Sequence, residues 1–269
     1  MADAARLFDR SVADNGLSGM VQVERRALSA PGVAAANLQY IPGRHGQASL
    51  EAHSHSGCGA GREGQRAPSG ACVDEHVEAT TVDDAWARRF GREQRMDVLK
   101  LNVNGEEMNA LRGARRLLSK RKVCGVILHI FKVQYAVLPE LEIMWAARAA
   151  GGVRPAEAEA TVRTAAEELH GLLAGAGMDL ALRLEPPRPV ALRRGEAQEV
   201  ALRSAEELRQ VLAAQGPEVG DVAAGLLRRD GRTMKFQVDD HLAQPYIVAR
   251  QPASLARCRH VAHRALAGG

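Results

Sequence analysis

The stretch Thr80–Phe131 constrains this chain most, because it reads as helix, buried strand, turn, amphipathic helix, buried strand. Thr81 with Asp84 three residues on has the spacing of a capping box, for a short helix ending near Gly91. Asp97–Val103 is a short apolar run rich in β-formers and bounded by turn signals, the pattern of a buried strand. Asn104-Gly105 breaks it, and Asn104 with Glu107 has the N-cap and N3 spacing that opens a helix. Met108, Leu111, Ala114, Leu117 and Leu118 then recur along one helical face, and cations collect toward its end, where the helix dipole favours them. Val123–Phe131 is the next strand. A strand, crossover helix and strand of this length predict a parallel pair with a right-handed connection.

The same stretch resembles the C-terminal half of the FkbM-type methyltransferase domain. The family's pattern is filled here by Thr81, Asp83, Asp84, Asp97, Leu99, Lys100, Val103, Gly105, Glu107, Leu111, Gly113, Ala114 and Leu117. Asn102 stands where the family usually has aspartate, Asn104 where it has glutamate, and His129 where the following strand commonly ends in glutamate. Near the start, Asn15, Ala27, Leu28 and Ser29 match the family's helix ending in Asn and strand closing on Ala-Leu-Ser. The resemblance implies an α/β fold with an incomplete Rossmann-like methyltransferase sheet, mostly parallel, with helices on both faces. It is incomplete because the resembled fold's first strand, glycine-rich turn and second strand precede the residues matched here. The implied cofactor is S-adenosyl-L-methionine and the implied reaction O-methylation of a hydroxyl on a sugar or small metabolite. The alternative is a non-catalytic methyltransferase-like fragment, acting as a scaffold or binding module.

In an open α/β sheet, ligands sit at the carboxyl ends of strands. That puts Asn102, Asn104, Gly105 and Glu107 at the mouth, with His129 on the adjacent strand. Asn102, Glu107 and His129 are therefore the candidate catalytic residues, and Asn102, Asn104 and Gly105 candidate cofactor contacts; the resemblance implies Ala27 and Leu28 as further contacts, beside the cofactor's adenine. Asn102 can hydrogen-bond a ligand amine or hydroxyl. His129 alone there has an unperturbed pKa suited to proton abstraction. Glu107 is equally explained as the far half of a capping box, and a lone His in an apolar strand is more often a satisfied core residue.

Two features tempt a different reading. Gly57-Cys58-Gly59-Ala60-Gly61 matches G-x-G-x-G, but neither flank is the strand or helix that a dinucleotide turn requires. His53, His55, Cys58, Cys72 and His76 are zinc-ligand types, yet their spacings fit no standard finger or ribbon, so no metal site is expected. The region is expected to be a Gly/Ser-rich loop between two strands.

The remaining chain divides into an FkbM-like domain over 1–185, with a flexible insertion at about 42–76, and a helical extension over 186–269 with a possible edge strand. Met20–Leu28 reads as a strand, Thr161–Ala174 as a helix and Met178–Leu184 as a strand. Ser204 and Glu207 form a second capping box, Gln244–Arg250 reads as a late antiparallel edge strand, and Ser254–Ala267 as a basic helix.

A net charge of +4, spread along the chain, gives no clustered face for nucleic acid. No apolar segment reaches transmembrane length, and the N-terminus lacks a signal-peptide apolar region. Four cysteines in 269 residues do not make a disulfide framework. A cytoplasmic protein without a membrane or nucleic-acid partner is expected; the resemblance implies a small-molecule or glycan acceptor, and the oligomeric state is not encoded legibly.

Overall fold

The computed structural model describes residues 2–40, 49–50, 73–135, 137–153, 155–184, 198–214, 218–232, 245–252 and 258. In chain order the elements are α1 (Ala2–Asp14), β1 (Ala27–Leu28), β2 (Ala35–Tyr40), β3 (Ser49–Leu50), β4 (Val73–Thr80), α2 (Val82–Phe90), β5 (Met96–Leu101), α3 (Glu107–Arg112) and α4 (Arg115–Ser119). There follow β6 (Val123–His129), α5 (Ile130–Tyr135), α6 (Leu138–Ala149), α7 (Ala156–Gly175), β7 (Asp179–Leu184), β8 (Gln198–Ala201), α8 (Ala205–Ala213), α9 (Glu218–Arg229) and β9 (Tyr246–Arg250).

The strands form two sheets, ordered β1-β4-β2-β3 and β5-β6-β9-β7-β8. Within them only β1 with β4 and β5 with β6 run parallel, and every other pair is antiparallel. The sheets are thus mixed, which corrects the expectation of a mostly parallel one. The reason lies in β9. Gln244–Arg250 was expected at an edge, but β9 inserts between β6 and β7 and is antiparallel to both. β8 takes the edge instead.

The register assigns side chains to faces. Leu99, Leu101, Val126, Leu128, Ala249, Ile247, Leu180, Leu182 and Val200 are paired along one face of the larger sheet. All of them are buried, in one continuous core with Leu111 and Leu117 from the α3–α4 region, Leu141 of α6, Leu169 and Leu173 of α7, Leu208 and Leu212 of α8, and Leu227 of α9. The opposite face carries Lys100, Ile127, Arg183, Glu199 and Arg250, none of which joins that core. Helix side chains thus share a core with one face of this sheet. Across the polar face, the Glu199 carboxylate accepts from Arg250 and Arg183, tying β8 to β9 and β7. Burial pushes that carboxyl up, but the two guanidiniums more than offset it and hold it below the usual carboxylate range.

Locally, several expectations shift. Only Ala27–Leu28 of the expected strand 20–28 is paired. β4 begins at Val73 and includes His76, so the end of the expected insertion is strand. The helix expected from Asn104 onward is two, α3 and α4, broken at Gly113-Ala114. A Cβ at Gly113 would lie 2.6 Å from the Ser29 carbonyl oxygen, so only glycine lets the β1 exit pass this close. Residues 51–72, with the G-x-G-x-G run and the His53, His55, Cys58 and Cys72 ligand types, and most of the expected basic helix at 254–267, lie outside the described residues. A disulfide joins Cys124 of β6 to Cys258, a pairing that the cysteine count alone did not suggest.

Candidate functional site at the β5 and β6 strand ends

The mouth is built by three local devices. The first is the start of α2. Thr81 is extended and its hydroxyl oxygen accepts from the Asp84 N–H at 3.0 Å, while the Thr81 O–H donates to the Asp84 carboxylate at 2.8 Å. This is the expected capping box. Next to it, Asp83 accepts from the N–H groups of Arg116 at 2.8 Å and Leu117 at 2.9 Å, and its own N–H donates to the Gly113 carbonyl at 2.9 Å. Asp83 therefore caps a helix more than thirty residues away and locks α2 to α4.

The second device is the turn after β5. Asn104 and Gly105 both have positive φ, 51° and 101°, a combination that Asn-Gly adopts with little strain. Glu107 holds this turn from the inside. It is fully buried, with one carboxylate oxygen accepting from the Val103 N–H and the other from the Gly105 N–H, each at 2.8 Å. Glu106, not Asn104, is the N-cap of α3. The capping box expected from Asn104 and Glu107 is replaced by this clamp, because the left-handed turn brings two backbone donors to one carboxylate. Both oxygens of Glu107 being committed, it serves the shape of the mouth.

From the turn a polar line runs to α7. Glu106 accepts from the Asn109 amide at 2.9 Å, and the Asn109 oxygen accepts from Arg112 at 2.6 Å. Arg112 then forms a bidentate pair with Glu168, both contacts 2.6 Å. Hydrogen bonds from Arg112 hold the Glu168 carboxyl below its ordinary range, and the same bonds raise the Arg112 guanidinium further.

The third device is the β6–α5 junction. Leu101 and Leu128 are the last register pair of β5 and β6, so Asn102 leaves β5 at the same end of the sheet at which His129 closes β6. Asn102 is exposed and His129 half-buried. His129 is paired across to Tyr246 of β9, and their rings meet edge-on with centroids 5.1 Å apart. The Ile130 N–H donates to the Pro245 carbonyl at 3.1 Å, so α5 starts directly at the strand end. Among the sequence candidates, Asn102, Asn104, Gly105, Glu107 and His129 are thus brought to one end of the larger sheet.

Ala27 and Leu28 lie elsewhere. They pair with Ala79 and Thr80 in the smaller sheet, and Leu28 lines a groove of about 830 Å³ with Val82, Trp86, Phe90, Met96 and Leu99. Residues 102–105 do not line that groove. His76 of the metal-ligand set is on β4, with its Nδ1 3.1 Å from Asn37 Oδ1. No group of three or more His, Cys, Asp or Glu suited to a metal occurs among the described residues. Asp83 and the Glu106–Asn109–Arg112–Glu168 line escaped the sequence reading; the Asp83-Asp84 doublet was the one signal that pointed to a second capping role.

The side-chain amides of Asn102 and Asn104 are neutral groups that both donate and accept hydrogen bonds. Both Glu107 oxygens are committed to backbone N–H groups. No described helix is long and apolar enough to cross a membrane. No curated protein and no solved structure matches the chain. The family model of the methyltransferase FkbM domain matches residues 34–151, from just before β2 to beyond the end of α6, leaving Ala27, Leu28 and Tyr246 outside and Asn102, Asn104, Gly105, Glu107 and His129 inside. Over those 118 of the 269 residues the chain matches the methyltransferase FkbM domain.

Proposed function

We propose that this methyltransferase domain uses S-adenosylmethionine to methylate a hydroxyl on a sugar or small metabolite, acting in the cytoplasm. The observation that carries the reading is the exposed Asn102 and the half-buried His129 at adjacent strand ends. S-adenosylmethionine, when bound, supplies a methyl group already activated as a sulfonium, so the protein's task is alignment and removal of one proton. The Asn102 amide orients a hydroxyl or ammonium group. The His129 imidazole takes the proton from the acceptor oxygen, held in place by Tyr246. Asn104 frames the turn with Gly105, whose N–H is already held by Glu107. Glu107 is a positioning residue here, since it acts through the turn.

One observation favours a non-catalytic reading. Glu107 is committed to backbone, and positions 102 and 104 bear amides in place of the carboxylates usual in the family. A calorimetric titration with S-adenosylmethionine and S-adenosylhomocysteine separates the two. The enzyme reading expects micromolar binding, weakened about tenfold by Asn102→Leu, the equivalent of about 1.4 kcal/mol for one lost hydrogen bond. No binding by the folded chain sinks it and leaves the scaffold.

A further inference from the structure

The Cys124–Cys258 bond joins residues separated by 134 positions. Its surroundings show what it holds. The Cys124 carbonyl accepts from the Gln251 N–H at 2.9 Å, immediately after β9 ends at Arg250. The exit of β9 thus lies against Cys124 through this hydrogen bond, and the disulfide anchors Cys258, seven residues further along the chain from Gln251, at the same start of β6. Both cysteines are buried, and Val98 of β5 packs against them. At its opposite end β9 carries Tyr246, the cross-strand partner of His129, and Pro245, whose carbonyl receives the Ile130 N–H. Five residues of β9 thus run from the Cys124 end of β6 to the mouth, hydrogen-bonded on both sides.

We infer that the Cys124–Cys258 bond is a redox latch on β9 that sets the position of the His129 ring, a regulation of the site that rests on His129 being the base. An external dithiol delivers two electrons and two protons, the bond becomes two thiols, and the dithiol closes to its own disulfide. Burial shields the sulfurs, so reduction proceeds through local opening around Cys258. Once open, the long loop between the cysteines regains its freedom in the unfolded chain, and the relative stability of the native sheet falls. β9 is then held by its ladders, the Arg250–Glu199 pair and the hydrogen bonds of Gln251, without a covalent anchor beyond them. A reducing cytoplasm favours the open latch and an oxidising compartment the closed one.

The test uses the full chain, oxidised and then reduced with dithiothreitol, together with Cys258→Ala, which removes the bond but keeps Cys124 in its packing. Alkylation is expected at Cys124 and Cys258 only after reduction. Reduction should lower the unfolding midpoint by about 10 °C. Amide exchange at Ile247–Ala249 should accelerate about tenfold or more, and the His129 imidazole resonance should move. Cys258→Ala should reproduce these changes and be indifferent to dithiothreitol. Free thiols at both positions in the oxidised protein, or an unchanged midpoint on reduction, would overturn the latch. Faster exchange in β9 with a stationary His129 resonance would overturn its coupling to the mouth. None of these readouts requires methyl transfer, so an inactive protein whose latch behaves as described counts against the base, not the latch.

Discussion

The two sheets differ in how they are held. In the larger one, nearly every position on one face is buried in a single core with the helices. In the smaller one, Leu38 of β2 and Thr80 of β4 are the buried residues among those described in these two strands, and Leu38 lies outside that core. Yet the family-matched stretch 34–151 includes strands of both sheets, and three of the five strands of the larger sheet come from beyond it. The core that holds the molecule together therefore draws on the matched stretch and on the chain beyond it alike.

Truncation at the two centres should show this contrast. Leu128→Ala removes a fully buried side chain from the larger sheet and should cost about 4 kcal/mol in chemical denaturation. An effect near 1 kcal/mol would mean that the core collapses freely around the loss. Glu107→Ala comes next. It leaves the Val103 and Gly105 donors without their acceptor at a buried turn, and should cost about 3 kcal/mol and loosen Asn102 in amide exchange. Glu107→Gln, which keeps one accepting oxygen, should recover about half.

Leu38→Ala, in the smaller sheet, should cost only about 1 kcal/mol. If it matches Leu128→Ala, the two sheets are equally load-sharing and the comparison fails. The smallest effect concerns acid. Glu199 has its folded pKa below the ordinary 4.5, so its contribution is complete above that value and disappears as pH falls through the lower folded one. Glu199→Gln should flatten the acid limb of the stability profile below pH 4.5 while leaving neutral stability within about 1 kcal/mol. A profile still steep in the variant would assign the acid limb to other carboxylates.

The parts of this molecule that were legible in sequence are those decided within a few residues. The Thr81/Asp84 and Ser204/Glu207 caps follow from a hydroxyl and the N–H three positions on, and both form. β5, β6 and β7 lie within two residues of their expected bounds, because a buried strand must be apolar wherever it pairs. What was illegible depends on encounters between distant residues. Nothing local to Asp83 says that Arg116 and Leu117 need an acceptor. Nothing in Tyr246–Arg250 says whether the strand closes an edge or enters the middle. At the mouth, the order of strands alone placed Asn102 and His129 at the same end of the parallel β5–β6 pair. The clamp by Glu107 was not legible, since it depends on the handedness of the turn at Asn104.

The interior seat of β9 has a consequence for synthesis. On the ribosome, β6 and β7 emerge long before Tyr246–Arg250, and each then offers an unpaired edge toward the gap that β9 will fill. The larger sheet cannot close until Tyr246–Arg250 has been made. During that interval the nascent protein is open to strand exchange with other chains, and its yield in cells should depend on chaperone capacity and on growth temperature more than its final stability would suggest.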